Sequence, residues 1–139
     1  MFNTRTPTDA YRAIGLETRI DSATPYTLVL MLYEGAMSAI SDAQRHMAEK
    51  NIPEKGKAIS RAIEIIANGL QASLDTEAGG DLAERLDALY EYMGRRLLFA
   101  NLKNDPAALK EVWSLLNELK TAWEQIASDP AAVSKNGES

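Results

Sequence analysis

The sequence contains no cysteine and only one histidine among its 139 residues. The absence of cysteine excludes disulfides, thiolate metal sites and a cysteine nucleophile, and it favours a reducing compartment. A di-iron helical bundle needs two Glu-x-x-His motifs, whereas His46, the one histidine, has no glutamate three residues before it. His46 lies among polar residues near a predicted helix end, so we interpret it as a solvated side chain. The sequence therefore predicts no catalytic site, no metal site and no cofactor, with phosphotransfer through His46 as a remaining alternative.

The sequence also has no long apolar run and no excess of positive charge. No stretch approaches the ~20 apolar residues of a membrane span, and the first residues lack the basic and apolar regions of a signal peptide. The net charge of -5 argues against nucleic-acid binding, which relies on a cationic surface. Gly79-Gly80 is not followed by the Lys-Ser/Thr of a phosphate-binding loop. We therefore expect a small cytoplasmic domain that is not embedded in a membrane and binds no nucleic acid.

The segment from Thr24 to Ala36 gives the strongest helix signal. Thr24 can cap free amides and Pro25 suits the first helical position. The six apolar residues 28–33 point in all directions around a helix, so this helix needs contacts on more than one side. A second apolar strip beside its core stripe consists of Val29, Tyr33 and Met37. That strip faces another helix, an N-terminal arm or a partner.

Helix-start signals and glycine or proline breaks divide the following residues into three more helices, near 53–75, 82–102 and 106–127. The third has a predicted core face of Leu82, Leu86, Leu89, Met93, Leu97 and Ala100, with Tyr90 at its edge. No segment alternates as a strand does. The pattern predicts an all-α fold, an antiparallel up-down-up-down four-helix bundle over residues 24–128. We interpret residues 1–23 as a short N-terminal helix or arm, docked or frayed, and residues 129–139 as a disordered tail.

Two surfaces have more apolar or small residues than one core stripe requires. Beside the core stripe of the second helix runs a trough of mostly small residues: Ala58, Ala62, Ile65, Gly69 and Ala72. A trough of this kind accepts a helix, either from a partner or from the same bundle. The fourth helix is apolar over half its circumference, and the residues that widen or line this face include Leu115, Leu119 and Ala122. Lys55, Lys57 and Arg61 form a modest basic face that we expect to be solvated.

Several blocks of the sequence resemble the flagellin-specific export chaperones, the FliS family of the bacterial flagellar system. Thr24-Pro25 followed by Met-Leu-Tyr-Glu-Gly-Ala at 31–36 resembles the first block of the family. Residues 59–80 are similar to the second block, and residues 89–105 and 111–123 to the third and fourth. Together with Tyr11, the resemblance covers about residues 10–127. Thr24, Tyr26 and Glu34 differ from the residues that are usual in the family.

The resemblance implies a non-enzymatic cytoplasmic chaperone. Such a protein binds the C-terminal helical segment of flagellin, prevents premature polymerisation and aids delivery to the flagellar type III export gate. Its partners would be flagellin and an export-gate component, with other flagellar regulators and a homodimer left open.

The resemblance also gives roles to the residues singled out above. The expected flagellin-binding groove combines the trough with the widened fourth-helix face: Ala58, Ala62, Ile65, Gly69, Ala72, Leu115, Leu119 and Ala122. Tyr11 and Ile14 would cover the groove or contact the export gate, and the strip at Val29, Tyr33 and Met37 is a secondary candidate. The alternative is a generic helical adaptor or regulator that binds another amphipathic helix.

Overall fold

The computed structural model describes residues 24–128, apart from the side chains of Thr76, Ala127 and Ser128. The helices are α1 (Pro25–Ala48), α2 (Ile52–Glu64) with a π-helical continuation (Ile65–Gln71), α3 (Thr76–Lys103) and α4 (Pro106–Ser128). Neighbours in the chain pack together, and α4 closes the ring against α1. The prediction of an all-α helical bundle is confirmed. The predicted arm at 1–23 and tail at 129–139 lie outside the described residues.

Side-chain caps explain where the helices begin. The Thr24 hydroxyl accepts a hydrogen bond from the Thr27 amide at 3.1 Å, and the Asp75 carboxylate accepts one from the Ala78 amide at 3.0 Å. The α1 start agrees with the prediction, but α3 begins at Thr76, before the predicted start at 82. Gly80 has φ +57° and ψ -136°, a conformation that favours glycine. The predicted glycine turn is therefore a kink within α3.

Helix α1 is apolar all round because it packs against both α2 and α4. Leu32, Ala36 and Ile40 are fully buried, and Tyr33 and Met37 of the second strip also belong to the core. Val29 is partly buried against the same core. The two-sided pattern of α1 is thus satisfied by helices of the bundle.

Two positions in α3 and one in α2 differ from their predicted burial. Leu82, predicted in the core, is 67% exposed, and Tyr90, predicted at the edge, is only 2% exposed. Lys55 is buried rather than solvated, because its ammonium group donates to the Asn101 carbonyl and the Asn104 amide oxygen at the C-terminus of α3. The burial of Tyr90 and Lys55 comes from tertiary contacts that helical periodicity does not report.

Both ends of the bundle contribute to the core. We call the half with the two short connections at 49–51 and 104–105 the loop end (37–63 and 94–113), and the other half the terminal end (24–36, 64–93 and 114–128). Leu97 and Leu109 at the loop end are fully buried, as are Leu32 and Leu116 at the terminal end, where the outer leucines Leu89 and Leu119 are only partly buried. Within residues 24–128, none of the helices combines the length and apolar character that crossing a membrane would require.

Candidate functional site

The predicted groove is divided between α2 and α4, which occupy diagonal positions in the ring of helices. On α2, Ala62 and Ile65 are fully buried, and a Cβ atom at Gly69 would lie 2.8 Å from Cδ2 of Leu32 in α1. The remaining α2 members, Ala58 and Ala72, are partly buried. The trough therefore lies along the contact with α1, and a partner would have to separate α1 from α2 to enter it. Flagellin contact with these residues stays a prediction.

The α4 members of the predicted groove are accessible. Leu115 and Leu119 are partly buried and Ala122 is exposed. A partner can reach these positions without opening the bundle. The predicted cover residues, Tyr11 and Ile14, lie outside the described residues. Tyr33 and Met37 of the secondary strip are buried in the core.

Contacts around Glu111 fix the register of α3 against α4. The Tyr92 hydroxyl donates to the Glu111 carboxylate, and Arg96 Nε donates to Glu111 Oε1 at 2.8 Å. Since the helices are antiparallel, residues before Tyr92 lie opposite residues after Glu111. This register brings leucines of α3 beside the accessible residues of α4. We call the resulting surface the α3–α4 face: Leu82, Leu86, Leu89, Leu115, Leu119 and Ala122.

The groups around Glu111 also interact electrostatically. The hydrogen bond from the Tyr92 hydroxyl, together with Arg96, lowers the pKa of Glu111. The same hydrogen bond raises the pKa of Tyr92. The Arg96 guanidinium also lies 4.9 Å from the centre of the Phe99 ring, a cation–π distance. The cluster joins α3 to α4 at the border between the α3–α4 face and the loop end.

A second set of contacts fixes α4 against α1 at the terminal end. Trp123 Nε1 donates to the Tyr26 carbonyl at 3.1 Å, and the two aromatic rings stack with centroids 5.4 Å apart. Lys120 and Glu34 form a longer ion pair at 4.0 Å. Because Trp123 faces α1, the neighbouring Ala122 is directed away from it, and it belongs to the α3–α4 face.

Two buried tyrosines join the diagonal helices α1 and α3. The hydroxyl oxygens of Tyr33 and Tyr90 are 2.7 Å apart and hydrogen-bonded. Burial raises the pKa of both side chains, so both hydroxyls are neutral at ordinary pH. Both residues belong to the hydrophobic core, and we assign the pair a structural role. Periodicity could not have found it, because the partners are far apart in sequence.

A groove between α2 and α3 was not predicted from the sequence. It encloses about 210 Å³, and its lining includes both apolar and polar residues: Ile63, Ile66, Ala67, Tyr90, Gly94 and Leu98 together with Gln71, Glu91 and Arg95. A Cβ atom at Gly94 would meet no other atom within 4 Å, and Leu98 is 59% exposed. The sequence signal for this groove was a glycine in the middle of a helix, near a leucine outside the core stripe.

The described side chains include no group of three or more histidine, aspartate or glutamate residues that could hold a metal ion. His46 lies in the last turn of α1, and its side chain is mostly buried beside Arg45 and Glu49 rather than solvated as predicted. A phosphotransfer histidine has to be exposed in the middle of a helix. The position of His46 therefore does not favour that alternative.

Comparison with known proteins identifies the family. The sequence model of "Flagellar protein FliS" matches residues 7–130. The chain is 47% identical over 118 residues to the flagellar secretion chaperone FliS of Salmonella typhimurium, covering 85% of this chain and 87% of that protein. It is 44% identical over 126 residues to the flagellar secretion chaperone FliS of Escherichia coli K12, covering 91% and 93%. It is 43% identical over 117 residues to FliSB of Pseudomonas aeruginosa, covering 84% and 92%. The chain belongs to the FliS family of flagellar secretion chaperones.

Proposed function

We propose that this chaperone binds the C-terminal helical segment of flagellin on the α3–α4 face. The observation that carries the proposal is an accessible apolar surface on a member of a flagellar secretion chaperone family. Its α4 residues, Leu115, Leu119 and Ala122, were already predicted to bind flagellin. A flagellin helix with apolar residues at every third or fourth position would lay that stripe between α3 and α4.

The physical basis is the burial of apolar area that the bundle leaves accessible. Leu82 is 67% exposed, and the leucines beside it are only partly buried. Each square ångström of apolar surface removed from water contributes roughly 25 cal/mol. A flagellin segment on this face would also have its own apolar stripe covered, which would prevent the stripe from pairing with other flagellin molecules. Premature polymerisation in the cytoplasm would be suppressed in this way.

The N-terminal arm is the proposed cover of this face when flagellin is absent. The arm joins α1 at Thr24, at the same end of the bundle as Leu82 and Ala122. Tyr11 and Ile14 supply apolar side chains for such a contact. Release of the arm on flagellin binding would free it for a component of the type III export gate. Delivery to the gate then follows loading with flagellin.

Co-purification with flagellin tests the proposal. Substitutions of two leucines of the α3–α4 face, with a third leucine outside it as control, test the site. We expect Leu82→Glu and Leu119→Glu to weaken flagellin binding at least about tenfold, since a carboxylate would be buried against an apolar stripe. Leu98→Glu is the matched control, because Leu98 has similar exposure on the other flank of α3. Isothermal titration with a flagellin C-terminal peptide measures the effect, and circular dichroism verifies folding.

Three outcomes would contradict parts of the proposal. Wild-type affinity in Leu82→Glu and Leu119→Glu would exclude the α3–α4 face as the flagellin site. Binding to flagellin that lacks its C-terminal segment would exclude that segment as the ligand. Binding to other amphipathic helices but not to flagellin would favour the generic adaptor.

A further inference from the structure

A groove at the loop end of the bundle takes no part in the α3–α4 face. It encloses about 590 Å³, within the range of about 300–1,000 Å³ that is typical of ligand sites. Its apolar lining comes from the end of α1 and the beginnings of α2 and α4: Met47, Ala48, Ile52 and Pro106. Its polar lining consists of Gln44, Lys50 and Asn104. We call these seven residues the loop-end groove.

The apolar lining is accessible to a ligand. Ile52 is 52% exposed, and Ala48 and Pro106 are exposed as well. Met47 is partly buried and packs against the core. Since Ile52 keeps about half of its surface in water, covering it would add apolar burial that the folded bundle itself does not provide.

The backbone at the rim of this groove has a conformation that is unusual for the residues present. Lys50 and Asn104, with φ of 60° and 52°, are the two non-glycine residues of the described part of the chain that have a left-handed backbone. Asparagine tolerates this conformation, whereas lysine adopts it at a cost in free energy that glycine, the usual residue just after a helix C-terminus, would not have. The backbone therefore does not explain a lysine at position 50, and its side chain is what glycine could not supply.

The buried ammonium group of Lys55 fixes the Asn104 side of the groove. It donates to the Asn104 amide oxygen at 2.5 Å and to the Asn101 carbonyl at 3.0 Å. Because the amide oxygen of Asn104 is occupied, its NH₂ group is the part left for a ligand. Asn104 and Lys50 thus offer hydrogen-bond donors, and the Gln44 amide can donate or accept.

The cations at the groove are not engaged by carboxylates. Lys50 alone is charged among the seven residues of the loop-end groove. Lys110 lies one helical turn after Pro106 on α4, so it borders the groove. Within residues 24–128, no carboxylate forms an ion pair with either lysine. Both are available to a partner without the loss of an existing pair.

The two carboxylates nearest to the groove in sequence have contacts elsewhere. Glu49 Oε1 lies 3.7 Å from His46 Nδ1. Asp105 accepts a hydrogen bond from the Ala107 amide at 2.9 Å, at the beginning of α4. Neither carboxylate lines the groove. The lining therefore combines apolar surface with donors and one positive charge.

We infer that the loop-end groove binds a protein segment that carries a large apolar side chain beside a carboxylate. The apolar side chain would lie against Ile52 and Pro106, and the carboxylate would meet the Lys50 ammonium and the Asn104 NH₂ group. A phosphate ion would leave the apolar lining uncovered, whereas such a segment uses both parts. The groove lies at the opposite end of the bundle from Leu82, so this segment and a ligand of the α3–α4 face can bind together. The inference does not depend on flagellin being that ligand.

Three synthetic peptides of about eight residues, or about 27 Å when extended, test the inference. They share two central leucines and carry glutamate, glutamine or lysine beside them. We expect the full-length chain to bind the glutamate peptide at least about tenfold more tightly than the lysine peptide. This preference should disappear at about 0.5 M salt, where charges are screened within a few ångströms. Amide NMR shifts caused by the glutamate peptide should map to residues 44–52 and 104–110.

Lys50→Gly is the variant that a loss of structure cannot mimic. Glycine suits the left-handed backbone, so the urea midpoint of unfolding should stay the same or rise. The preference for glutamate over glutamine should nevertheless be lost. Lys50→Glu should make the lysine peptide the tighter ligand, whereas Lys57→Glu, the same change in net charge outside the groove, should keep the original order. Ile52→Ser should weaken all three peptides.

Several results would overturn the inference. Equal affinities of the glutamate and lysine peptides would remove the charge argument. Competition by a flagellin C-terminal peptide would make the groove part of the flagellin site. Binding of octanoate at residues 44–52, without binding of any peptide, would identify a small carboxylic acid as the ligand. Self-association in sedimentation that Ile52→Ser abolishes would identify a second copy as the occupant. Shifts at residues 44–52 on Phe2→Asp substitution, with no peptide added, would identify the N-terminal arm.

Discussion

At the residue scale, the paired hydroxyls of Tyr33 and Tyr90 show how a polar group is accommodated in this core. Each hydroxyl is buried among apolar side chains, and each has the other as its hydrogen-bond partner at 2.7 Å. A buried polar group without a partner costs much more than a satisfied pair contributes. The two tyrosines are therefore energetically coupled, and removing one hydroxyl affects the other.

A double-mutant cycle measures this coupling. We expect Tyr33→Phe or Tyr90→Phe alone to lower the free energy of unfolding by about 1–3 kcal/mol, because one buried hydroxyl loses its partner. The variant with both substitutions should lose less than the sum of the two, since no hydroxyl remains unsatisfied. Urea unfolding at pH 7 provides the values. Strict additivity would mean that the hydroxyls are not coupled.

The same variants have a defined pH dependence. Burial raises the pKa of Tyr33 and Tyr90 above the value of 10.0 for a free tyrosine. Above pH 10 the unfolded chain therefore loses these protons first, and ionisation favours unfolding. The contribution of these two tyrosines to the stability of the wild type is fully present below pH 10 and declines above it. The double phenylalanine variant should decline less over the same alkaline range, and an equal decline would contradict the assignment.

At the scale of helices, sequence patterns predicted the existence and most boundaries of the elements but not which neighbour each flank faces. Thr24-Pro25 and Asp105-Pro106 mark helix starts that the structure confirms, because capping is local. The α2 trough, by contrast, follows the contact with α1, and the accessible groove lies on the other flank, at Ile63 and Ala67. A helical wheel shows two apolar flanks but carries no information on which helix covers each one. Lys55 was misplaced for the same reason, since its partner Asn101 belongs to another helix.

Gly69 lies at a close contact between helices, whereas Gly94 lies at an open groove. A Cβ atom at Gly94 would meet nothing within 4 Å, so Gly94→Ala should raise the free energy of unfolding by about 0.5–1 kcal/mol through helix propensity. A Cβ atom at Gly69 would lie 2.8 Å from Cδ2 of the fully buried Leu32. Gly69→Ala should therefore give no such increase in the free energy of unfolding, or should lower it, since Leu32 has little room to move. Thermal and urea unfolding of the pair compare the two effects, and equal stabilisation by both would contradict the close α1–α2 approach.

At the scale of the whole molecule, charge divides the bundle into two halves. The loop end has an excess of cations and the terminal end an excess of carboxylates, although both halves contain fully buried side chains. Like charges repel, so the acidic residues at the terminal end oppose compaction of that half. All six residues of the α3–α4 face lie in this half. The proposed docking surface is thus combined with the half of the bundle in which charge repulsion opposes packing.

This division predicts a gradient of hydrogen exchange along the bundle axis. Local opening requires less free energy where fewer apolar contacts are buried. Amides at 93–100 and 108–116, which contain fully buried side chains, should exchange slowest, and those at 77–86 and 119–126 fastest. Leu116→Ala, at a fully buried position, should increase exchange throughout the bundle, because it lowers the global free energy of unfolding by about 2–5 kcal/mol. Leu82→Ala, at an exposed position, should leave the slow amides unchanged. Peptide-resolved mass spectrometry measures both, and uniform protection along α3 and α4 would show that the two halves open as one unit.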